Sequence, residues 1–352
     1  MSRSRKRRFG GFVFLLLLVA VMAAGAWLYQ RYRSFADAPL AGVSTGQTVV
    51  VSSGDSLPKV LAKLREAGIQ TGQTVEWRAL AREMGAAGHI QVGEYELTAS
   101  TTPRELLSAM RDGRVVQRRV TIVEGWNIRE LRAAIKRAEP LLHKTDGLDD
   151  AALMEALGAG GQHPEGRFLP ETYSYVTGDS DIDVLKRAHK AMSDALDEAW
   201  SKRKSDSALK TPDEMLVLAS IVEKETGVAD ERPQIAGLFE RRLKIGMRLQ
   251  TDPTVIYGMG SSYDGNIRKR DLTTDTPYNT YTRAGLPPTP IAMPGKDALN
   301  AVANPAPGEA LYFVAVGDGS GRHLFGKSLA EHEANVAAYL KNYRAAQSKS
   351  TQ

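Results

Sequence analysis

The chain has 352 residues, 42% of them hydrophobic and 25% charged, which is enough apolar content for a sizeable core and, by length, about two domains. Its net charge of +5 sits at the N-terminus: with Arg3, Arg5, Lys6, Arg7, Arg8, Arg31 and Arg33 set aside from the 46 basic residues, 39 face 41 acidic ones, which argues against a nucleic-acid partner. The absence of cysteine excludes disulfides, thiol nucleophiles and thiolate metal sites.

Residues 9–30 carry no charge. At ~1.5 Å per residue their helix reaches roughly 33 Å, enough to span a bilayer. The basic tail over residues 1–8 orients the N-terminus to the cytoplasm, and Trp27 and Tyr29 suit the far interface. The competing reading is a signal peptide cleaved near Ala24-Gly25-Ala26, for which the apolar run is long. Either way the body is exported, so no ATP, NAD or other cofactor is expected.

Residues 31–46 read as a linker. Residues 47–115 read as a small α+β module. It has a strand at 48–51 and a helix with Ser56 as N-cap and Pro58 in its first turn. Val60, Leu61 and Leu64 form its apolar face, and Gly68 ends it. A helix over 75–84, a strand over 90–97 and a third helix follow, the last opened by the Thr102/Glu105 capping box and closed by Gly113. The stretch GDSLPKVLAKL resembles the LysM glycan-binding motif.

Residues 116–345 read as a larger mixed α+β domain, followed by a tail over 346–352. A strand over 115–123 turns at Glu124-Gly125-Trp126-Asn127 into a helix with an Asn127/Glu130 capping box. Residues 143–161 are weakly patterned. HPEGRFLPETYSY, with Glu165 and Glu171, reads as an aromatic loop. An amphipathic helix over 183–204 follows.

Thr211-Pro212 opens the central helix, whose buried face is Met215, Leu218, Ala219 and Val222. At 100° per residue, Glu223 and Glu225 flank that face on opposite sides, about 80° each way from Met215. Thr226-Gly227 marks the helix end, so Glu225 lies in the last turn, where the helix dipole disfavours a negative charge and raises a carboxyl pKa toward general-acid duty. A basic helix over 229–245 carries Arg232, Arg241, Arg242 and Lys244, read either as a solvated face or as a site for acidic peptide stems. Asp252 caps a short helix with Pro253 behind it, or else takes part in the chemistry. The Tyr278–Pro290 region forms a stiff aromatic loop suited to a sugar groove. A helix over 296–303, strands over 311–316 and 323–325 and a helix over 328–343 complete the chain.

HExxH is absent from the sequence, and the six histidines are scattered, so no metal site is expected. Ser220 has Glu223 where a penicillin-type serine enzyme needs lysine. What remains is acid chemistry on an exported substrate. LASIVEKET, ERRLKIGMRLQTDPTVIYGMG, PYNTYTRAGLPPTPIAMPG and LYFVAVGDGSGRHLFGKSLAEH together resemble the YceG/MltG-like endolytic murein transglycosylases.

That resemblance implies a single-pass protein of the inner membrane with a periplasmic catalytic body. Its activity is endolytic cleavage of the MurNAc–GlcNAc β-1,4 bond in nascent peptidoglycan strands. The products carry 1,6-anhydroMurNAc ends, and strand length is limited beside peptidoglycan synthases. It implies Glu225 as the catalytic acid and then base. It places Glu223, Gln250, Asp252, Thr254, Tyr257, Asn279, Thr280 and Tyr281 in the groove. Arg167 departs from the family, which commonly has an apolar residue there. Two other readings stay open: a non-catalytic peptidoglycan-binding scaffold, and a muramidase-type hydrolase using Glu225 and Asp252.

Overall fold

The computed structural model describes the backbone of residues 3–350 and the side chains of residues 12–347. The side chains of the basic tail, and parts of the tail over 346–352, therefore lie outside the described residues. The fold is mixed α+β, with three two-stranded sheets among the described residues. The chain divides into two units. One takes the chain up to Arg118 together with Tyr175–Asp179; the other takes Arg119–Ser174 and the residues from Ser180 onward.

The first unit opens with α1 (Arg3–Asp37). From Phe12 to Asp37 this is the one helix, among the described residues, long and apolar enough to cross a membrane. Its large apolar side chains, Phe12 to Val19, Trp27 and Leu28 among them, are exposed. The helix runs on through residues expected as linker because its end is packed: Phe35 and Ala36 are buried, and the Phe35 ring meets Trp77 edge-on at 5.4 Å.

Around that end lie β1 (Gln47–Val51), α2 (Leu57–Glu66), α3 (Thr74–Glu83), β2 (Gly93–Leu97) and α4 (Pro103–Asp112). β1 and β2 pair antiparallel from Gln47↔Leu97 to Val51↔Gly93. Val49 and Val51 point inward while Val50 is exposed, the alternation of a half-buried strand. Thr102 accepts the Glu105 N–H at 3.1 Å and Glu105 returns the bond at 2.9 Å, as the capping pattern requires. Ser56 stands at its N-cap position, but its hydroxyl makes no capping bond. Asp55 instead accepts the Ser52 N–H and ion-pairs with Lys59 and Lys63.

The second unit contains β3 (Arg118–Thr121) except its first residue, paired with β4 (Thr172–Tyr175) except its last, and helices α5 (Ile128–Lys136), α6 (Asp150–Leu157), α7 (Asp181–Ser201), α8 (Pro212–Glu225), α9 (Arg232–Lys244), α10 (Asp252–Met259), α11 (Lys269–Thr273) and α12 (Lys296–Ala303). It closes with the antiparallel pair β5 (Tyr312–Ala315) and β6 (His323–Gly326), then α13 (Leu329–Ser350). Neither α6 nor β4 was expected. α6 is two turns held by the Asp149 cap and Gly158, too short to set up a readable period. α13 extends past residue 343.

α8 organises this unit. Eight consecutive residues, Met215 to Val222, are buried, not only the face that the spacing predicts. Helices α7, α9 and α12 pack round it, and α10 packs against it as well. The one polar member of the run, Ser220, is satisfied: its hydroxyl donates to the Val217 carbonyl at 2.7 Å and accepts the Ile291 N–H at 3.0 Å. That second bond ties the proline-rich loop to α8. Leu218→Ala should lower stability by about 2–5 kcal/mol, read from the urea midpoint, because the wrapped site has little room to collapse. An unchanged midpoint would contradict this packing.

Candidate active site

α8 stops at Glu225 because Thr226 turns extended, with φ −145° and ψ 133°, and its hydroxyl accepts the Val228 N–H at 2.9 Å. Two residues on a helix lie about 160° apart around the axis, so the two glutamates leave α8 on different sides. Glu223 is half-buried and accepts the Gly295 N–H at 3.0 Å. Glu225 reaches instead toward the start of α10, where the Thr251 hydroxyl donates to its Oε1.

The Glu225 carboxyl is pushed up to about 7. Burial is the main cause; the Thr251 bond and Arg242 oppose it, and the charge of Asp252 adds to it. Desolvation thus acts in the same direction as the helix dipole invoked from sequence. The residue keeps some solvent contact while its carboxyl is enclosed by protein. Burial raises Glu223 as well, in the same direction.

Thr251, which the sequence reading did not nominate, is the N-cap residue of α10, yet its hydroxyl serves Glu225 and caps nothing. Asp252 is therefore the first helical residue and not the cap. It is exposed, and its Oδ1 accepts the Tyr281 hydroxyl at 2.6 Å. Gln250, also exposed, is the one non-glycine among the described residues with positive φ, at 50°. Such a conformation is sparsely populated for residues with a Cβ and persists where surrounding bonds enforce it. Here the Gln250 N–H donates to the Thr280 carbonyl at 3.2 Å and the Thr251 N–H to Thr280 Oγ1 at 3.1 Å.

Thr254, Thr280 and Asn279 are buried beneath this turn. The Thr254 and Thr280 hydroxyls meet at 2.9 Å, and Asn279 donates to the carbonyls of Asp271, Leu272 and Thr274. The structure places these three as internal braces, whereas Gln250, Asp252 and Tyr281 stand beside Glu225's partner Thr251.

The basic face of α9 is already engaged. Arg242 is buried, donating to the Leu249 carbonyl at 2.5 Å and the Leu311 carbonyl at 2.6 Å. Arg241 donates to Ala310 and Ala306, Arg232 pairs with Asp297, and Lys244 with Asp206. Neither a solvated face nor an open anion site describes it.

Tyr257 lies one turn along α10. Its hydroxyl donates to Glu165 Oε2 at 2.9 Å, and its ring meets Tyr278 edge-on at 4.8 Å. Glu165 is fully buried and also accepts the Ile128 N–H at the start of α5, at 3.1 Å; burial pushes it up to about 7. Arg167 turns away to Asp213 at 2.8 Å. A cavity of about 360 Å³ lies against Tyr257, walled by Pro253, Ile256, Tyr263 and Ile291 with Arg129 and Lys224 at its polar side.

Comparison with known proteins adds the following. The model of the YceG-like family matches residues 49–338. A Bacillus subtilis protein named endolytic murein transglycosylase is 27% identical over 340 residues, covering 92% of this chain and 92% of the relative. A protein of the same name from Streptococcus pneumoniae serotype 2 is 25% identical, covering 94% of this chain but 65% of the relative. The crystal structure of a yceG-like protein from Listeria monocytogenes matches with a TM-score of 0.53 and 27% identity, over 83% of this chain and 99% of that one.

Two outcomes test the electrostatics. Thr251→Val removes a bond that favours the ionised carboxylate, so the Glu225 pKa should climb above about 7 in a carboxyl-carbon NMR titration; a fall or no change contradicts the geometry. Glu225 has a folded pKa near 7 against an ordinary 4.5, so its folded state holds a proton that the unfolded chain gives up between those values. Stability is unaffected below about pH 4 and is lost as pH rises through 7. Glu225→Gln should therefore melt with the wild type near pH 4 but be more stable by about 1–3 kcal/mol near pH 8.

Proposed function

The chain belongs to the YceG-like family, and from that premise we propose that it is an endolytic murein transglycosylase with Glu225 as its catalytic acid and base. The observation that carries this reading is the Glu225 carboxyl: sunk at the end of α8, bonded by Thr251, and held near pH 7 by burial. A carboxyl raised toward neutrality by burial suits a residue that must first give and then take a proton.

The glutamic acid protonates the glycosidic oxygen between MurNAc and GlcNAc as the C1–O bond breaks. The resulting carboxylate then accepts the proton of the MurNAc 6-hydroxyl, whose oxygen closes on C1. The product carries a 1,6-anhydro end, no water is consumed, and the carboxyl regains its proton. Buried surroundings favour the neutral acid before cleavage. The Thr251 hydroxyl and the Arg242 charge steady the carboxylate after it. Asp252, Tyr281 and Gln250 offer polar atoms to the sugar hydroxyls, while Glu223 fixes the Gly295 loop on the far side of α8.

The same reading assigns α1 as an inner-membrane anchor with the N-terminus in the cytoplasm and the body in the periplasm. Residues 47–115 act as a LysM-like module against glycan and residues 116–345 as the catalytic domain. Nascent peptidoglycan strands are the substrate and peptidoglycan synthases the neighbours. One observation favours a second chemistry. Asp252 lies close enough for its charge to raise Glu225, so a muramidase-type reaction with Asp252 activating water is the competing mechanism.

The products decide. Incubated with peptidoglycan, the chain should release anhydro-muropeptides, detected by mass 18 Da below their hydrated forms, one water being about that mass; reducing ends would select the hydrolase, and binding without products a scaffold. Glu225→Gln should lower turnover by at least ~1000-fold while the chain stays folded. In the wild type kcat/KM should fall as pH rises through about 7, where the acid form is lost. An active Gln variant alongside a dead Asp252→Asn would exchange the two roles.

A further inference from the structure

The cavity against Tyr257 has no task in the cleavage step. Two of its lining residues are nevertheless chain neighbours of the candidate site. Lys224 immediately precedes Glu225 and Pro253 immediately follows Asp252, and consecutive Cα atoms are about 3.8 Å apart. At about 360 Å³ it is large enough for a small ligand or a few residues of peptide.

Its charge is distinctive. Many basic side chains of this unit pair with carboxylates, as Arg232 does with Asp297 and Lys244 with Asp206, but Arg129 and Lys224 do not. Both are exposed, and neither makes an ion pair with a described carboxylate. Lys224 Nζ donates only to the Gly125 carbonyl, at 3.2 Å. The Arg129 guanidinium lies over Gly260, so close that a Cβ there would stand 3.2 Å from Nη1. The nearby Glu165 is withdrawn from the cavity: it is fully buried behind Tyr257, whose hydroxyl it accepts. That bond fixes the Tyr257 ring as a wall beside Pro253, Ile256 and Ile291. The result is an apolar trough with two cations at its rim, neither of them in an ion pair with a described carboxylate.

We propose that this cavity is a subsite for the carboxylate-bearing peptide stem that a peptidoglycan strand carries on its muramic acid residues. The inference rests on the transglycosylase reading for its choice of ligand. Small alanyl side chains of a stem lie against the apolar wall, and its free carboxylates meet Arg129 and Lys224 in charge-assisted hydrogen bonds. The stem is attached to the ring whose C1 is attacked, so holding the stem beside Lys224 holds that ring beside Glu225. The subsite thus selects strands with intact stems over strands stripped of them.

The test uses the full chain in detergent micelles, with glycan strands carrying intact stems and the same strands stripped by an amidase. Wild-type kcat/KM should favour the stem-bearing strands by roughly 10-fold or more, chiefly through KM, the worth of one charge-assisted bond. Arg129→Gln and Lys224→Gln should each shrink that ratio several-fold through KM and leave the shape of the pH profile intact; Lys224→Arg should restore it. Equal cutting of both strands by the wild type overturns the subsite. So does a Gln variant that lowers kcat and shifts the pH profile, since it then acts on Glu225. A separate arm titrates a soluble stem peptide into the Glu225→Gln chain. Binding should vanish in Lys224→Gln, at about 1 M salt, where screening reaches about 3 Å, and when the peptide carboxylates are amidated. Binding that survives all three overturns the proposal. A chain that binds the peptide but cuts neither strand refutes the transglycosylase reading alone, whereas one that cuts both strands alike refutes the subsite alone.

Discussion

A helix that is apolar all the way round has to be wrapped, and the wrapping of α8 is the constraint on which the second unit depends. Helices α7, α9 and α12 cover it along its length. The last residue of that wrapped helix is a glutamic acid, so the chain delivers an ionisable group to the edge of its best-packed region. The desolvation that raises Glu225 is a consequence of the same packing that stabilises the unit. A carboxyl in that position is costly to ionise, which is the property that the proposed general-acid role draws on.

The bonds around Glu225 show how that strain is managed. Thr251 gives up its capping role to α10 and donates to the carboxyl. Gln250 holds a left-handed conformation to bring Thr251 there, and Thr280 secures both through one carbonyl and one hydroxyl. Asn279 and Thr254 complete a buried polar layer with its hydrogen-bonding capacity used internally. Polar residues that look like groove contacts in the sequence are thus divided by burial. Gln250 and Asp252 are exposed, whereas Thr254, Asn279 and Thr280 are buried and brace the turn from within.

Much of the fold was legible in the sequence. The capping boxes at Thr102 and Asn127, the Thr211-Pro212 start, the end of α8 before Thr226 and the α12 boundaries rest on local hydrogen-bonding and steric rules, and the structure reproduces them. The opposite bearings of Glu223 and Glu225 follow from helical pitch alone. Expectations that needed a neighbour were less secure. Ser56 sits at a cap position without capping, because Asp55 and two lysines claim the turn. The end of α1 is helical where a linker was expected, because Phe35 has Trp77 to pack on. The basic face of α9 looked like an open patch until the carbonyls of residues 306–311 and the Leu249 carbonyl closed on it.

The sequence by itself determined where a long apolar helix stands, which helix carries the paired glutamates, and which of the two lies in its final turn. These are properties of composition and of a 3.6-residue period, and they need no knowledge of distant contacts. Tertiary structure alone decided that burial raises Glu225, that Thr251 is its partner, and that Arg129 and Lys224 form no ion pair with a described carboxylate. Each of those depends on side chains far apart in the chain being brought within a few ångströms, and desolvation and hydrogen bonding act only over that range.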